Sequence, residues 1–116
     1  MSDNLLIELS IDFAVKIVKL IDEIQGKGVL KNQILKSGTS IGANIHEANY
    51  AQSKADFVSK LQIALKECYE TEYWLELFVK TNIIFENQYT ELKNDCGKIR
   101  RILISSINTT KEKYNL

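Results

Sequence analysis

The chain predicts an all-α protein: an antiparallel up-down-up-down four-helix bundle. Proline is absent from all 116 residues. Apolar residues recur at three- and four-residue steps through four separate stretches, and the links between those stretches are short. Sheet proteins use proline in turns and at edges, so its absence favours long helices. Short links make successive helices antiparallel neighbours. A single domain spans 1–116. A chain of this length buries roughly two-thirds of its unfolded surface and needs neither disulfide nor metal to fold.

The first helix is expected over about 5–25, with Phe13, Ile17, Leu20 and Ile24 on one side. Gly26 and Gly28 end it, glycine being the usual residue just past a helix. The second covers about 30–50. Ser53 then reads as the N-cap of the third, with Asp56 three residues on in a capping-box-like position. The third, about 54–81, has the cleanest pattern. Phe57, Leu61, Ala64, Cys68, Thr71, Leu75 and Phe78 alternate steps of four and three, the seam of helices packing at a shallow angle. Val58, Leu65, Trp74, Leu77 and Val79 flank it, giving an apolar face wider than one antiparallel partner requires. The fourth, about 85–108, repeats the rule with Phe85, Tyr89, Leu92, Cys96, Ile99 and Leu103, broadened by Ile102 and Ile107. The polar stretch 109–116 is expected to fray.

The second helix is the most informative. Ile34, Gly38, Ile41, Ile45 and Ala48 share one face, and beside them runs a polar stripe of Ser37, Ser40, Asn44 and Glu47. A mid-helix glycine costs about 1 kcal/mol against alanine. Gly38 and Gly42 therefore mark close packing against a neighbouring backbone. The stripe is suited to bonding another helix or another subunit. These features point to assembly, not to a reaction.

Fifteen Lys and Arg balance fifteen Asp and Glu, so no global field draws nucleic acid. Lys16, Lys19, Lys27, Lys31 and Lys36 crowd the first third, Glu67, Glu70, Glu72 and Glu76 the middle, and Lys98, Arg100 and Arg101 the end. Such runs read as solvated helix faces. Cys68 and Cys96 fall on apolar stripes and read as small core residues. There is no apolar run near twenty residues and no leader-like N-terminus, so the expectation is a soluble cytoplasmic protein.

The run Gln33-Ile34 through Ser37, Ser40-Ile41, Asn44-Ile45 and Glu47-Ala48 resembles the signature of small bacterial four-helix-bundle proteins encoded in 23S rRNA intervening sequences. Phe57, Leu61, Ala64, Glu67, Glu70 and Leu75 are similar to that family's long third helix. The resemblance runs from about Phe13 to Leu103. It implies a ring-like homopentamer. It also implies kinship to the accessory variability determinant proteins of diversity-generating retroelements, which bind nucleic acid and a reverse transcriptase through basic surfaces. Two features depart from the pattern: this chain is neutral, and His46 stands where a small residue is more usual.

His46 and Glu47 are adjacent, a quarter-turn apart, and no second histidine exists, so they do not make a helical metal pair. Glu67 with Glu70 and Glu72 with Glu76 share faces, but a packed bundle offers no desolvated pocket for acid–base work. Lys66–Glu70 and Glu76–Lys80 read as surface pairs. Gly26-Lys27-Gly28 lacks the length and hydroxyl of a P-loop. No catalytic, cofactor or metal residue is assigned, and the chain is not read as an enzyme. Lys93, Lys98, Arg100 and Arg101 remain as candidate nucleic-acid contacts. Repeated around a ring, weak phosphate contacts add through multivalency. No aromatic residue interleaves with them in sequence, so base stacking is not indicated.

The resulting expectation is a non-enzymatic homo-oligomeric adaptor whose partners are itself, RNA or DNA, or a reverse transcriptase, with no membrane and no small-molecule substrate. The rival is a purely protein-binding scaffold.

Overall fold

Every helix expected from the periodicity forms. The computed structural model describes residues 2–116, with side chains from Leu5 onward. Helix α1 spans Ser2–Glu23, α2 Gly28–Ala48, α3 Lys54–Lys80 and α4 Glu86–Lys113, with no strand among the described residues. Each helix packs on its sequence neighbours, and α1 closes the set against α4. Among the described residues, the backbones of α1 and α3, and of α2 and α4, do not come within 8 Å of each other, measured between Cα atoms. The helices therefore stand at four corners around one core, in a body of 47 × 21 × 20 Å.

The apolar stripes make that core. Phe13, Ile17 and Leu20 of α1 are buried, as are Ile34, Gly38, Ile41, Ile45 and Ala48 of α2. On α3 the seam from Leu61 to Phe78 is buried throughout, and Val58 replaces the half-buried Phe57 at its start. On α4 burial runs from Leu92 to Ile107, while Phe85 is exposed and Tyr89 half-buried. The width of the α3 face needs no outside partner to explain it. That helix packs on α2 with one flank and on α4 with the other.

Local chemistry sets the ends. Ser53 Oγ accepts from the Asp56 N–H at 3.0 Å, capping α3 as expected, while the Asp56 carboxylate accepts from the Gln52 N–H at 3.2 Å. Gln88 Oε1 accepts from the Phe85 N–H at 2.8 Å at the start of α4. Gly26 turns the chain in the left-handed region at φ 68°, and Lys27 follows at φ 59°. Gly28 does not terminate α1: it is the first residue of α2.

The C-terminal stretch departs from expectation. It is helical through Lys113. Buried Ile107 anchors it, and Thr110 Oγ1 donates to the Ser106 carbonyl at 2.8 Å. Lys111 and Lys113 suit the negative end of the helix, and the Leu116 N–H closes it on the Lys111 carbonyl at 2.8 Å. Among the described residues, no helix is long and apolar enough to cross a membrane.

Candidate functional site

The polar stripe of α2 divides into three kinds of contact. Ser37 is fully buried, and its Oγ lies 2.9 Å from Thr71 Oγ1 on α3. Thr71 Oγ1 also lies 2.8 Å from the Glu67 carbonyl, and Ser37 Oγ 3.4 Å from the Ile34 carbonyl. Thr71 therefore best spends its one proton on Glu67, and Ser37's proton closes the interhelical pair. Within the subunit Asn44 stays on its own helix: its Nδ2 donates to the Ser40 carbonyl at 2.8 Å. Its amide finds a backbone acceptor one turn back before any neighbour. Glu47 reaches α3 through Lys60 at 3.5 Å, with its side chain largely in solvent.

The glycines lie against α1. A Cβ on Gly38 would meet Ile17 Cγ1 at 3.1 Å and Cγ2 at 3.3 Å. A Cβ on Gly42 would meet Ser10 Oγ at 3.2 Å and the Ser10 carbonyl at 3.5 Å. Ser10 is itself buried, its hydroxyl spent on the Ile7 carbonyl at 3.1 Å. Close approach at both glycines is thus a property of the α1–α2 packing within one subunit.

Ion pairs tie α4 to its two neighbours. Lys16 Nζ of α1 lies 2.7 Å from both Glu91 and Asp95. Bonds from Asp95 first, then Glu91, hold the Lys16 ammonium above the ordinary lysine range, against some desolvation. Arg100 Nε donates to Glu72 Oε2 at 3.0 Å, and its guanidinium stands 5.7 Å from the centroid of Tyr69.

That contact corrects the grouping of basic residues. Arg100 is half-buried and already neutralised by Glu72. Lys93 is exposed, its ammonium 5.5 Å from the Tyr89 ring. Lys98 lines the α1–α4 groove with Lys16 and Lys19. Arg101 turns to the far end of the bundle, beside Lys54 and Lys113. The four do not form one belt on the subunit. Aromatic rings do meet cations: Tyr69 and Tyr89 each carry one and Tyr114 two, all within 5.7 Å. Spacing in sequence did not reveal this, because two of those pairings join different helices.

Of the expected surface pairs, Glu76–Lys80 is present at 3.9 Å, while Glu70 accepts from Trp74 Nε1 at 3.3 Å. Burial, then the neighbouring Glu70, pushes the Glu67 carboxyl up, against the opposing pull of Lys66 and Lys36. His46 is exposed, with its ring 5.4 Å from that of Tyr50. Cys68 and Cys96 are free and buried, and Cys96 Sγ donates to the Cys68 carbonyl at 3.5 Å. The contact with Cys68, and then burial, pushes the Cys96 thiol up.

The surplus apolar surface lies partly on α3, as the sequence placed it, and otherwise on α1 rather than α2. α2 exposes Val29 alone among its large apolar side chains. α1 exposes Ile11, Val15 and Val18, one stripe on the side away from buried Phe13, Ile17 and Leu20. α3 exposes Tyr69, Tyr73 and Ile63.

Residues 2–105 match the 23S rRNA-intervening sequence protein family. The chain belongs to that family. The 23S rRNA-intervening sequence match takes in the α2 stripe, both close-packed glycines and all four basic positions. The chain is also similar to a crystal structure from Bacteroides thetaiotaomicron VPI-5482, a protein of unknown function from the S23 ribosomal protein family. The two are 51% identical, with a TM-score of 0.89 over 93% of this chain and 99% of that one. No curated protein matches the chain.

Proposed function

We propose that this protein is a non-enzymatic assembly module: an up-down-up-down subunit that closes into a ring-like homo-oligomer, a pentamer, and serves as an adaptor for structured RNA. The kinship to the accessory variability determinants that the resemblance implies would add a reverse transcriptase as the protein sharing such a complex.

The order of contacts supports alternating helix directions. On α1 and α2, Gly38 faces Ile17 while Gly42 faces Ser10. On α2 and α3, Ser37 meets Thr71 while Glu47 meets Lys60. On α1 and α4, Lys16 meets Asp95 while Glu23 meets Gln88. In each pair, one number rises as the other falls.

The observation that carries the assembly reading is the outward apolar stripe of α1 together with the exposed Ile63, Tyr69 and Tyr73 of α3, on helices whose described residues do not pack backbone to backbone. A dimer with a two-fold axis uses one patch twice. Two different patches on opposite corners suit a head-to-tail contact, which generates a ring when its rotation closes. The RNA reading rests on family membership and on Lys93, Lys98 and Arg101, which are exposed and, among the described residues, outside any ion pair.

An anisotropy titration with a labelled RNA hairpin tests the adaptor role. Affinity should fall steeply with salt, since each phosphate contact releases counterions. The Lys93→Ala, Lys98→Ala double variant should weaken binding and flatten the salt slope. No binding at low salt would leave the protein-only scaffold as the better account.

A further inference from the structure

Where α3 begins and α4 finishes, a groove of about 620 Å³ opens to solvent. Its cations are Lys54, Arg101 and Lys113, and among the described residues no carboxylate lines it. Elsewhere Lys16, Lys60, Lys80 and Arg100 each have an acid within 4 Å, while Lys93 and Lys98 have none among the described residues; here three cations share one groove. A chain with as many acids as bases has here gathered three cations with no counter-charge among the described residues.

Two of them are held to one ring. The Lys54 ammonium lies 5.0 Å from the Tyr114 centroid and that of Lys113 5.5 Å from it. The ring's negative face attracts each cation, but the cations repel each other, a cost that an arriving anion removes. The floor is apolar, made by Phe57, Ile102 and Leu5. Ser105 and Thr109 add exposed hydroxyls to the wall.

This lining selects among anions. Three cations exceed what one carboxylate engages, and they fit the several oxygens of phosphate groups, with Arg101 able to bind two at once. The floor offers nothing to bare inorganic phosphate and suits a flat apolar group attached to it. The volume falls within the usual range for small-molecule sites. We propose that this groove binds a nucleotide, free or at the end of a strand. Its phosphates lie on Lys54, Arg101 and Lys113, and its base lies against the apolar floor at Phe57 and Ile102. Thr109, Lys113 and Tyr114 fall beyond the family match, which ends at residue 105.

The test is amide NMR on the full chain at low salt, titrated in turn with ATP, inorganic triphosphate, and oligoadenylates with and without a 5′-phosphate. ATP should shift signals of residues 54–57 and 101–114 and bind at least about threefold more tightly than inorganic triphosphate. A 5′-phosphorylated strand that outbinds ATP identifies the strand end as the source; the reverse order identifies the free nucleotide. Arg101→Gln and Lys113→Gln, with unchanged circular dichroism, should each weaken ATP by about tenfold, as expected for loss of a charge-assisted bond. Lys80→Gln, on a lysine outside the groove, should leave it unchanged. Absent shifts, shifts spread over all lysines, or equal binding of inorganic triphosphate would overturn the proposal. RNA binding that survives Arg101→Gln while ATP fails to bind sinks the groove alone. ATP binding without RNA binding sinks the adaptor reading alone.

Discussion

Ser37 Oγ and Thr71 Oγ1 lie 2.9 Å apart between α2 and α3, with neither residue open to solvent. Each hydroxyl has a second acceptor within its own helix, so neither is stranded if the other is removed. Ser37→Ala should therefore cost only about 1 kcal/mol, the net worth of one hydrogen bond. Thr71→Val, which keeps the volume, should cost a similar amount. The double variant should cost less than the two singles together, since both remove one shared contact. Denaturant unfolding of the four proteins measures this, and strict additivity would show that the hydroxyls act independently.

The two α2 glycines should respond oppositely to alanine. At Gly38 the new methyl meets the branched Cβ substituents of buried Ile17, which have nowhere to move. At Gly42 the nearest atom is a serine oxygen on a rotatable bond. Gly38→Ala should destabilise by about 1–3 kcal/mol. Gly42→Ala should be neutral or stabilise by up to about 1 kcal/mol through helix propensity. Thermal melts of both variants decide it; a stabilised Gly38→Ala would refute tight packing on Ile17.

Lys16 joins α1 to α4 through two carboxylates, yet its side chain is 42% exposed, so solvent screening limits its worth. Lys16→Met should cost no more than about 1 kcal/mol, less in high salt. The fold raises the Lys16 pKa, so its charged form is favoured in the native state. Its contribution is complete below the ordinary lysine range and is lost as pH climbs through and above that range. The wild-type advantage over Lys16→Met should be flat from pH 6 to 9, on the order of the screened pair energy, and shrink above that. A steep change near neutrality would contradict this origin.

Much of this architecture was legible in the sequence, and the failures have physical causes. The α2 face and the α3 seam were readable because a 3.6-residue period reports which side a helix buries. The breadth of the α3 face misled, since periodicity cannot say whether two neighbours inside the subunit already share it. The final turns of α4 look polar because Thr109 and Thr110 are poor helix formers, yet the Ile107 anchor and Thr110's bond to Ser106 hold them. Arg100's engagement with Glu72 spans 28 residues and leaves no local trace. The Lys54–Tyr114 contact joins the start of α3 to the end of α4, so the groove it borders leaves no local trace in the sequence.

Both thiols should be inert in the folded protein. Cys68 and Cys96 are fully buried, and the shift in Cys96 disfavours the thiolate that reagents attack. Timed labelling with a thiol reagent at pH 8 should show no reaction in buffer and modification of both cysteines in denaturant. Rapid labelling of the native protein would place a cysteine at an open surface.

In the proposed ring, the outward stripe of α1 meets the exposed Ile63, Tyr69 and Tyr73 of α3 on the next subunit. Light scattering coupled to size exclusion, at micromolar concentration, tests it most directly when wild type is compared with Val15→Asp. Val15 lies in the middle of the α1 stripe and outside the core, so the charge should leave the subunit folded. The expected wild-type mass is about five times the 13.3 kDa of the chain, and the folded variant should have a mass near 13.3 kDa. A monomeric wild type, or a Val15→Asp variant that keeps the wild-type mass, would contradict it.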